Sequence, residues 1–233
     1  MQLYAIIGAG GFGREVMPLA DIMLRAHLQH SDYQLVFVTE EKSEEGFINN
    51  YMLMTLDEYF SHPAENKFFN IAISHYEIRK RIAERMLIAG SKPFQINAMN
   101  RIELSNNIID EGAIFCAFTT VTSNTKIGKF FHANIYSYIA HDCIIGDYVT
   151  FAPNVQCNGN VIIEDDAYVG TGVIIKQGTA KQPMIIGKGA ILGMGAVITK
   201  NVAPFATVVG NPAKPLVRQS SVGSPAHYRN ELR

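Results

Sequence analysis

Along the middle of the chain one apolar residue recurs at every sixth position: Ile109, Phe115, Val121, Ile127, Ala133, Ile139, Ile145, Phe151, Cys157, Ile163, Val169 and Ile175. After a slip the series resumes at Ile186, Leu192 and Ile198. The fourth residue after a marker is usually small or β-branched, as at Val149, Val155, Val161, Ala167, Val173, Ala190 and Ala196. Glycine often follows the marker itself, as at Gly128, Gly146, Gly170, Gly187 and Gly193. A period of six matches neither the 3.6 of a helix nor the alternation of a hairpin. It predicts a β-solenoid whose coils have three short flat sides, each side one hexapeptide. Markers and small residues point inward to fill a narrow prism, and the glycines ease the corners. The repeat is expected over residues 101–205, with Ala180–Met184 thrown out as a loop at one corner.

Residues 1–100 follow a different pattern. Leu3–Ile7, Leu35–Val38, Phe69–Ile73 and Phe94–Asn97 are short aliphatic or aromatic runs that read as strands. Between them lie a helix through Val16 to about Ala26, a capped start at Thr55 (the capping-box pattern TLDE), and a charged helix over Glu77–Ala89 stopped by Gly90. Pro18 is an awkward residue for the early turns of the first helix. Alternating strands and helices predict a small parallel α/β domain, half of a Rossmann-like unit, ahead of the solenoid. Residues 206–233 read as a tail, polar from Ser220 onward.

Composition narrows the field. The formal charge of the 233 residues is −1 at pH 7, so no basic field points to nucleic acid or an anionic membrane. The three cysteines, Cys116, Cys143 and Cys157, show no paired spacing and read as reduced and structural. No leader precedes the first strand and no apolar run reaches the ~18 residues of a membrane helix, so a cytoplasmic protein is expected.

Two places carry chemistry. Gly8, Gly10 and Gly13 form G-x-G-x-x-G between a strand and a helix, with Gly11 inside the turn. Such a turn brings backbone close to an anion at a helix N-terminus. A domain of this size favours a nucleotide or nucleotide-sugar phosphate over NAD, and the same glycines are also compatible with a plain tight turn. Glu40 and Glu41, just beyond the second strand, either meet a ribose or base edge or belong to the solvated run EEKSEE.

His141 is the sharper signal. It stands two residues after marker Ile139, at a corner, and the same corner one coil later carries Gly159. Coils stack at about 4.8 Å, which sets an imidazole one rung from an unobstructed backbone N–H. That pair supplies a base for an incoming amine or hydroxyl and a donor for a thioester oxygen becoming an oxyanion. Asp142 is placed to orient the ring through its other nitrogen. His132 reads as structural or substrate-adjacent, and the remaining histidines form no metal spacing. No G-x-S-x-G elbow is present.

The segments GAGGFGREV, SHYEIRKRI (Ser74–Ile82), SYIAHDCIIGD and VVGNPAKPL, in that order, make the chain resemble the left-handed β-helix sugar acetyltransferases of the sialic-acid and bacillosamine types. The resemblance implies a homotrimer with acetyl-CoA between neighbouring β-helices and a nucleotide-linked amino sugar on the α/β domain. It implies His141 as general base and Gly159 as the donor that holds the acetyl carbonyl. The substrate set becomes Gly8, Gly10, Gly11, Gly13, Glu40, His75 and Asn134. The cofactor set becomes Gly159, Thr171, Met194, Gly195 and, near the CoA phosphates, Lys214. Departures from the pattern are Thr39-Glu40-Glu41 in place of an Asp-Asp pair, Thr150 in place of a second histidine, and the Ala180–Met184 insertion. N-acetylation is the favoured reaction, because a sugar amine loses its proton more easily than a hydroxyl. Sugar O-acetylation and a non-enzymatic or metal-binding β-helix scaffold are the alternatives.

Overall fold

The computed structural model describes residues 1–28, 32–41 and 44–216, so Ser220–Arg233 lies outside the described residues. The N-terminal half contains β1 (Gln2–Ile7), α1 (Gly11–His27), β2 (Tyr33–Thr39), β3 (Phe47–Ile48), β4 (Tyr51–Thr55), α2 (Leu56–Ser61), β5 (Asn66–Ile71), α3 (Tyr76–Ile88) and β6 (Lys92–Pro93). The sheet order is β3-β4-β2-β1-β5-β6, parallel except for the β3–β4 hairpin. Strand β1 is buried along Leu3–Ile7 because both of its faces are covered, as a parallel central strand requires. Leu3, Ala5 and Ile7 pack with Leu56, Tyr59, Ile82 and Met86 of α2 and α3, and Tyr4 and Ile6 pack with Val16, Met17 and Ala20 of α1.

Thr55 caps α2 as its sequence predicts. Its Oγ1 accepts from the Glu58 N–H (3.2 Å), and Glu58 Oε2 accepts from the Thr55 N–H (2.8 Å). Helix α1 begins at Gly11, five residues before the expected start, and Pro18 lies in its interior rather than in an early turn. The β3–β4 hairpin was not expected. Asn49 and Asn50, with φ of 48° and 70°, supply the two left-handed residues of its tight turn, and the Asn-Asn pair is the signal that could have found it.

The strand expected at Phe94–Asn97 is replaced by two shorter ones, the first of them earlier in the chain. Lys92–Pro93 pairs with β5, whereas Ile96–Asn97 pairs with Ile114–Phe115 and is the first rung of the β-helix, so the solenoid starts before residue 101. From there the chain winds as a left-handed parallel β-helix. Its first face stacks Ile96–Asn97, Ile114–Phe115, His132–Ala133, Thr150–Phe151, Tyr168–Val169, Ile191–Leu192 and Thr207–Val209. The second face runs from Ile102–Glu103 through Tyr138–Ile139 to Val197–Ile198, and the third from Ile108–Ile109 through Ile144–Ile145 to Met184–Ile186.

Rungs pair at the predicted offset, for example His132 with Thr150 and Tyr138 with Gln156. At Ile163 the partner is Ile186, five residues later than that spacing, because Thr179–Gln182 closes a small hairpin at the corner between the second and third faces. The tail expected from residue 206 contributes instead to the fold: Thr207–Val209 extends the first face, and Lys214–Pro215 returns antiparallel to it.

The corners correct one expectation. The left-handed turn is made by the third residue after most markers, as at Phe118, Asn124, Asp142 and Asn154, all at φ 59°. The glycines directly after the markers serve close approach: a Cβ on Gly128 would lie 2.8 Å from the Asp147 nitrogen of the next coil. The prism core is closed by Phe115, Phe131, Phe151 and the aliphatic ladder down to Val208.

The first face is covered by the α/β half. Ile96, Ile114 and Cys116 join the α1-side core, and Phe130 joins the core beneath α3. Among the described residues no helix is long and apolar enough to cross a membrane.

Candidate active site

Within Ile139–Ile144 the prism dictates the layout: Ile139 and Cys143 are buried inward, and His141 and Asp142 take the corner between the second and third faces. The His141 Nδ1–H donates to Asp142 Oδ2 (2.7 Å), which leaves Nε2 as the proton acceptor. Asp142 is held in turn by Asn124 of the preceding coil, whose Nδ2 donates to Asp142 Oδ1 (3.3 Å). Half of the His141 side chain remains exposed (49%).

Gly159 lies directly under the ring. A Cβ there would come within 2.5 Å of His141 Nε2 and Cε1, so only glycine leaves the imidazole its place. Among the described residues no acceptor takes the Gly159 N–H. The corner between the third and first faces shows what would otherwise happen. There the Lys129 N–H donates to Asp147 Oδ1 (2.8 Å) and the Asp147 N–H to Asp165 Oδ1 (2.9 Å), so a carboxylate of the next coil occupies each donor. The His141 corner lacks such a carboxylate ladder, and an open backbone donor stands beside an imidazole that can accept a proton.

A second group gathers at the seam between the α/β half and the first face. Gly8 has φ +100°, and a Cβ on Gly13 would run into the Gly8 carbonyl oxygen, so both glycines are required by the turn and by helix–strand packing. A Cβ on Gly10 or Gly11 would meet nothing within 4 Å, so the space before the α1 N-terminus is open. A cavity of about 290 Å³ leads from Gly11 and Phe12 past Ser74 and Thr150 to Asn134 and Thr171. Asn134 Nδ2 is committed to the Phe151 carbonyl (2.8 Å), which leaves its Oδ1 for a ligand donor. His75, exposed at the N-cap of α3 and stacked on Tyr76, lines an adjoining cavity of about 500 Å³. Glu40 is exposed at the end of β2 and paired with Arg81 (2.7 Å).

Thr171 and Met194 occupy successive rungs of the corner between the first and second faces, Met194 with 81% of its surface exposed, and Gly195 makes the turn there at φ 67°. Lys214 lies opposite Val209 on the return strand, next to the Gly193 rung. One chain therefore does not bring all the predicted residues together. His141, Asp142 and Gly159 lie at one corner, and Asn134, Thr171 and Met194 lie at another, with the second face between them.

Sequence reasoning missed Arg79. Its guanidinium is fully buried at the seam. Nη1 donates to the Ile73 carbonyl (2.9 Å), His132 Nδ1 (2.7 Å) and Thr150 Oγ1 (3.0 Å), and Nη2 donates to the Tyr148 carbonyl. Burial draws the Arg79 pKa down to about 9, still that of a cation at neutral pH. Burial and then the Arg79 charge hold His132 well below the usual imidazole value, so His132 is neutral and structural. The signal was present in SHYEIRKRI: Arg79 falls at helical spacing with Ile82, Ala83 and Met86 on the buried face of α3. All three cysteines are free and buried, and among the described residues no group of histidine, cysteine or carboxylate side chains gathers that could hold a metal ion.

Residues 4–86 match the family model described as the PglD N-terminal domain, and residues 124–159 match the bacterial transferase hexapeptide (six repeats). The chain is 47% identical over 218 residues to GDP-perosamine N-acetyltransferase of Escherichia coli O157:H7, covering 94% of this chain and 98% of that one. Among solved structures it is similar to WeeI from Acinetobacter baumannii AYE, with a TM-score of 0.88 and 48% identity over 93% of this chain and 100% of that one. It is also similar to the acetyltransferase domain of PglB from Neisseria gonorrhoeae FA1090 in complex with acetyl coenzyme A, with a TM-score of 0.72 and 26% identity over 92% and 98% of the two chains.

Proposed function

The chain belongs to the hexapeptide-repeat sugar acetyltransferases, and from that premise we propose that it transfers the acetyl group of acetyl-CoA to the amine of GDP-perosamine or a close nucleotide-linked amino-deoxysugar. The observation that carries the chemistry is the His141 ring seated over Gly159 beside an unoccupied backbone N–H. The amine attacks the thioester carbonyl carbon, and the carbonyl oxygen becomes an oxyanion that accepts from the Gly159 N–H. His141 Nε2 removes the amine proton as the bond forms, while Asp142 stabilises the imidazolium through Nδ1–H. Collapse of the intermediate breaks the C–S bond, and the imidazolium returns the proton to the departing thiolate. A positioned base contributes about 10²–10⁴-fold and a backbone oxyanion donor about 10²–10³-fold.

The acceptor enters at the seam. Its phosphates face the α1 N-terminus across the open Gly10–Gly11 turn, and Asn134 accepts from a sugar polar group. The rest of the site comes from a second copy. Ile102, Ile108 and Ile144 leave the second and third faces apolar and exposed, while the first face is already covered, and three copies in closed symmetry cover both. That closure sets the Asn134–Thr171 corner of one chain against the His141–Gly159 corner of the next. Both substrates are cytoplasmic metabolites, and the enzyme works there. Thiol release from acetyl-CoA, measured against GDP-, UDP- and dTDP-linked amino sugars with sedimentation on the same sample, tests this. Turnover of the GDP-linked amine by a trimer is expected, and an active monomer or activity confined to sugar hydroxyls would overturn it.

A further inference from the structure

We propose that Arg79 is a positioning residue that sets where the acceptor-binding half sits on the β-helix, and so whether the sugar amine reaches the acetyl thioester. The inference rests on the function proposed above. A buried guanidinium is a costly way to join two layers, because apolar side chains of similar volume do so at equal or lower cost. None of its hydrogen-bond acceptors is a carboxylate, and among the described residues its buried Nε has no hydrogen-bond partner. What the guanidinium has, and a methionine or leucine lacks, is a fixed fork of donors that defines distances.

Three of its four acceptors lead to a ligand-facing element. The Ile73 carbonyl belongs to the residue whose side chain packs on the Gly8 turn, where a Cβ would lie 2.8 Å from Ile73 Cγ1. His132 stands two residues from Asn134 on the same rung, and its ring lies 5.2 Å from that of Phe12 in the first turn of α1. Thr150 Oγ1 also reaches the Ser74 carbonyl (3.4 Å), and Thr150 and Ser74 both line the cavity between Gly11 and Asn134. A single cation thus fixes the glycine loop, the cavity wall and the Asn134 rung relative to one another.

The test uses the full-length trimer and the variants Arg79→Lys and His132→Asn. Lysine keeps the charge but loses the fork, and His132→Asn leaves Arg79 in place while exchanging the rigid, packed imidazole acceptor for a smaller and less fixed amide. A misplacement of about 1 Å costs on the order of 10²-fold in rate. The expected result for Arg79→Lys is therefore a fall in kcat of about that size with the nucleotide-linked amine. The KM for acetyl-CoA and the Kd for GDP alone should each change by less than about threefold, because each half still binds its own ligand. His132→Asn should show the same split at roughly a tenth of the size, and it decides the matter if Arg79→Lys does not fold. Unchanged kcat in both variants, or joint loss of kcat, GDP binding and Tm, would overturn the inference. A wild-type protein that releases no thiol with any amine would instead remove the function on which it rests.

Discussion

Two histidines nine residues apart mark the proposed catalytic corner and the seam. His141 is half exposed, and its ring faces a carboxylate at 2.7 Å. His132 is completely buried, and its ring faces a guanidinium at the same distance. A carboxylate on Nδ1 stabilises the protonated ring that a base must pass through, whereas a neighbouring cation and burial suppress it. The two residues have the same chemistry in solution, and the fold buries one beside a cation while it leaves the other at an open corner, where the proposed mechanism uses it as the base.

The sharpest way to break this comparison is His141→Ala. We expect kcat to fall about 10²–10⁴-fold with little change in either KM, because the imidazole acts mainly in the transition state. The midpoint of urea unfolding should hardly move, since truncating an exposed corner side chain stays within about 0.5 kcal/mol. Asp142→Asn should cost less, as it disturbs ring orientation without removing the acceptor nitrogen. Full turnover by His141→Ala would leave the corner with no catalytic claim over the seam.

The glycine loop gives a second, smaller contrast. Gly10→Val adds atoms to open space, so it should leave Tm in place and raise the KM for the sugar nucleotide several-fold or more, with the KM for acetyl-CoA unchanged. Gly13→Ala places its Cβ on the Gly8 carbonyl and should lower Tm before any kinetic effect can be read. Steady-state kinetics and thermal unfolding of the two variants side by side test the assignment. A rise in the acetyl-CoA KM for Gly10→Val would reverse which half binds which substrate.

The corner was legible in the sequence because a strict repeat converts position into direction. Knowing that Ile139 points inward is enough to set His141 outward and Gly159 one rung away. The α2 cap was legible for a similar reason, since Thr55 and Glu58 interact within four residues. The seam was not legible. Arg79 meets His132, Tyr148 and Thr150 across separations of 53 to 71 residues, and no periodicity relates them. The solenoid also begins earlier than its marker pattern suggests. Ile96–Asn97 looks like a last α/β strand, and only its pairing with Ile114–Phe115 shows that it belongs to the prism. The separation of the predicted residues onto two corners follows from the topology of the whole chain, which local patterns do not contain.

The smallest effect expected is also the most direct test of the seam. His132 has a folded-state pKa depressed below its unfolded value of about 6.5, first by burial and then by the Arg79 charge. In the unfolded chain the imidazole takes up a proton as pH falls through that value, while in the folded protein it does not. The unfolded state therefore binds more protons, and stability present above pH 6.5 is lost as the pH falls below it. Between pH 7 and pH 5.5 a single such group removes about 1 kcal/mol. Other groups titrate in the same window, so the measurement is a difference: urea unfolding of the wild type and of His132→Asn at both pH values. The variant will be less stable at pH 7, having lost the buried ring that packs against Phe12, but its acid slope should be shallower by about 1 kcal/mol over that interval. Equal slopes would mean that His132 binds a proton in the folded state despite the guanidinium beside it. The distinction between the two histidines would then rest on exposure alone.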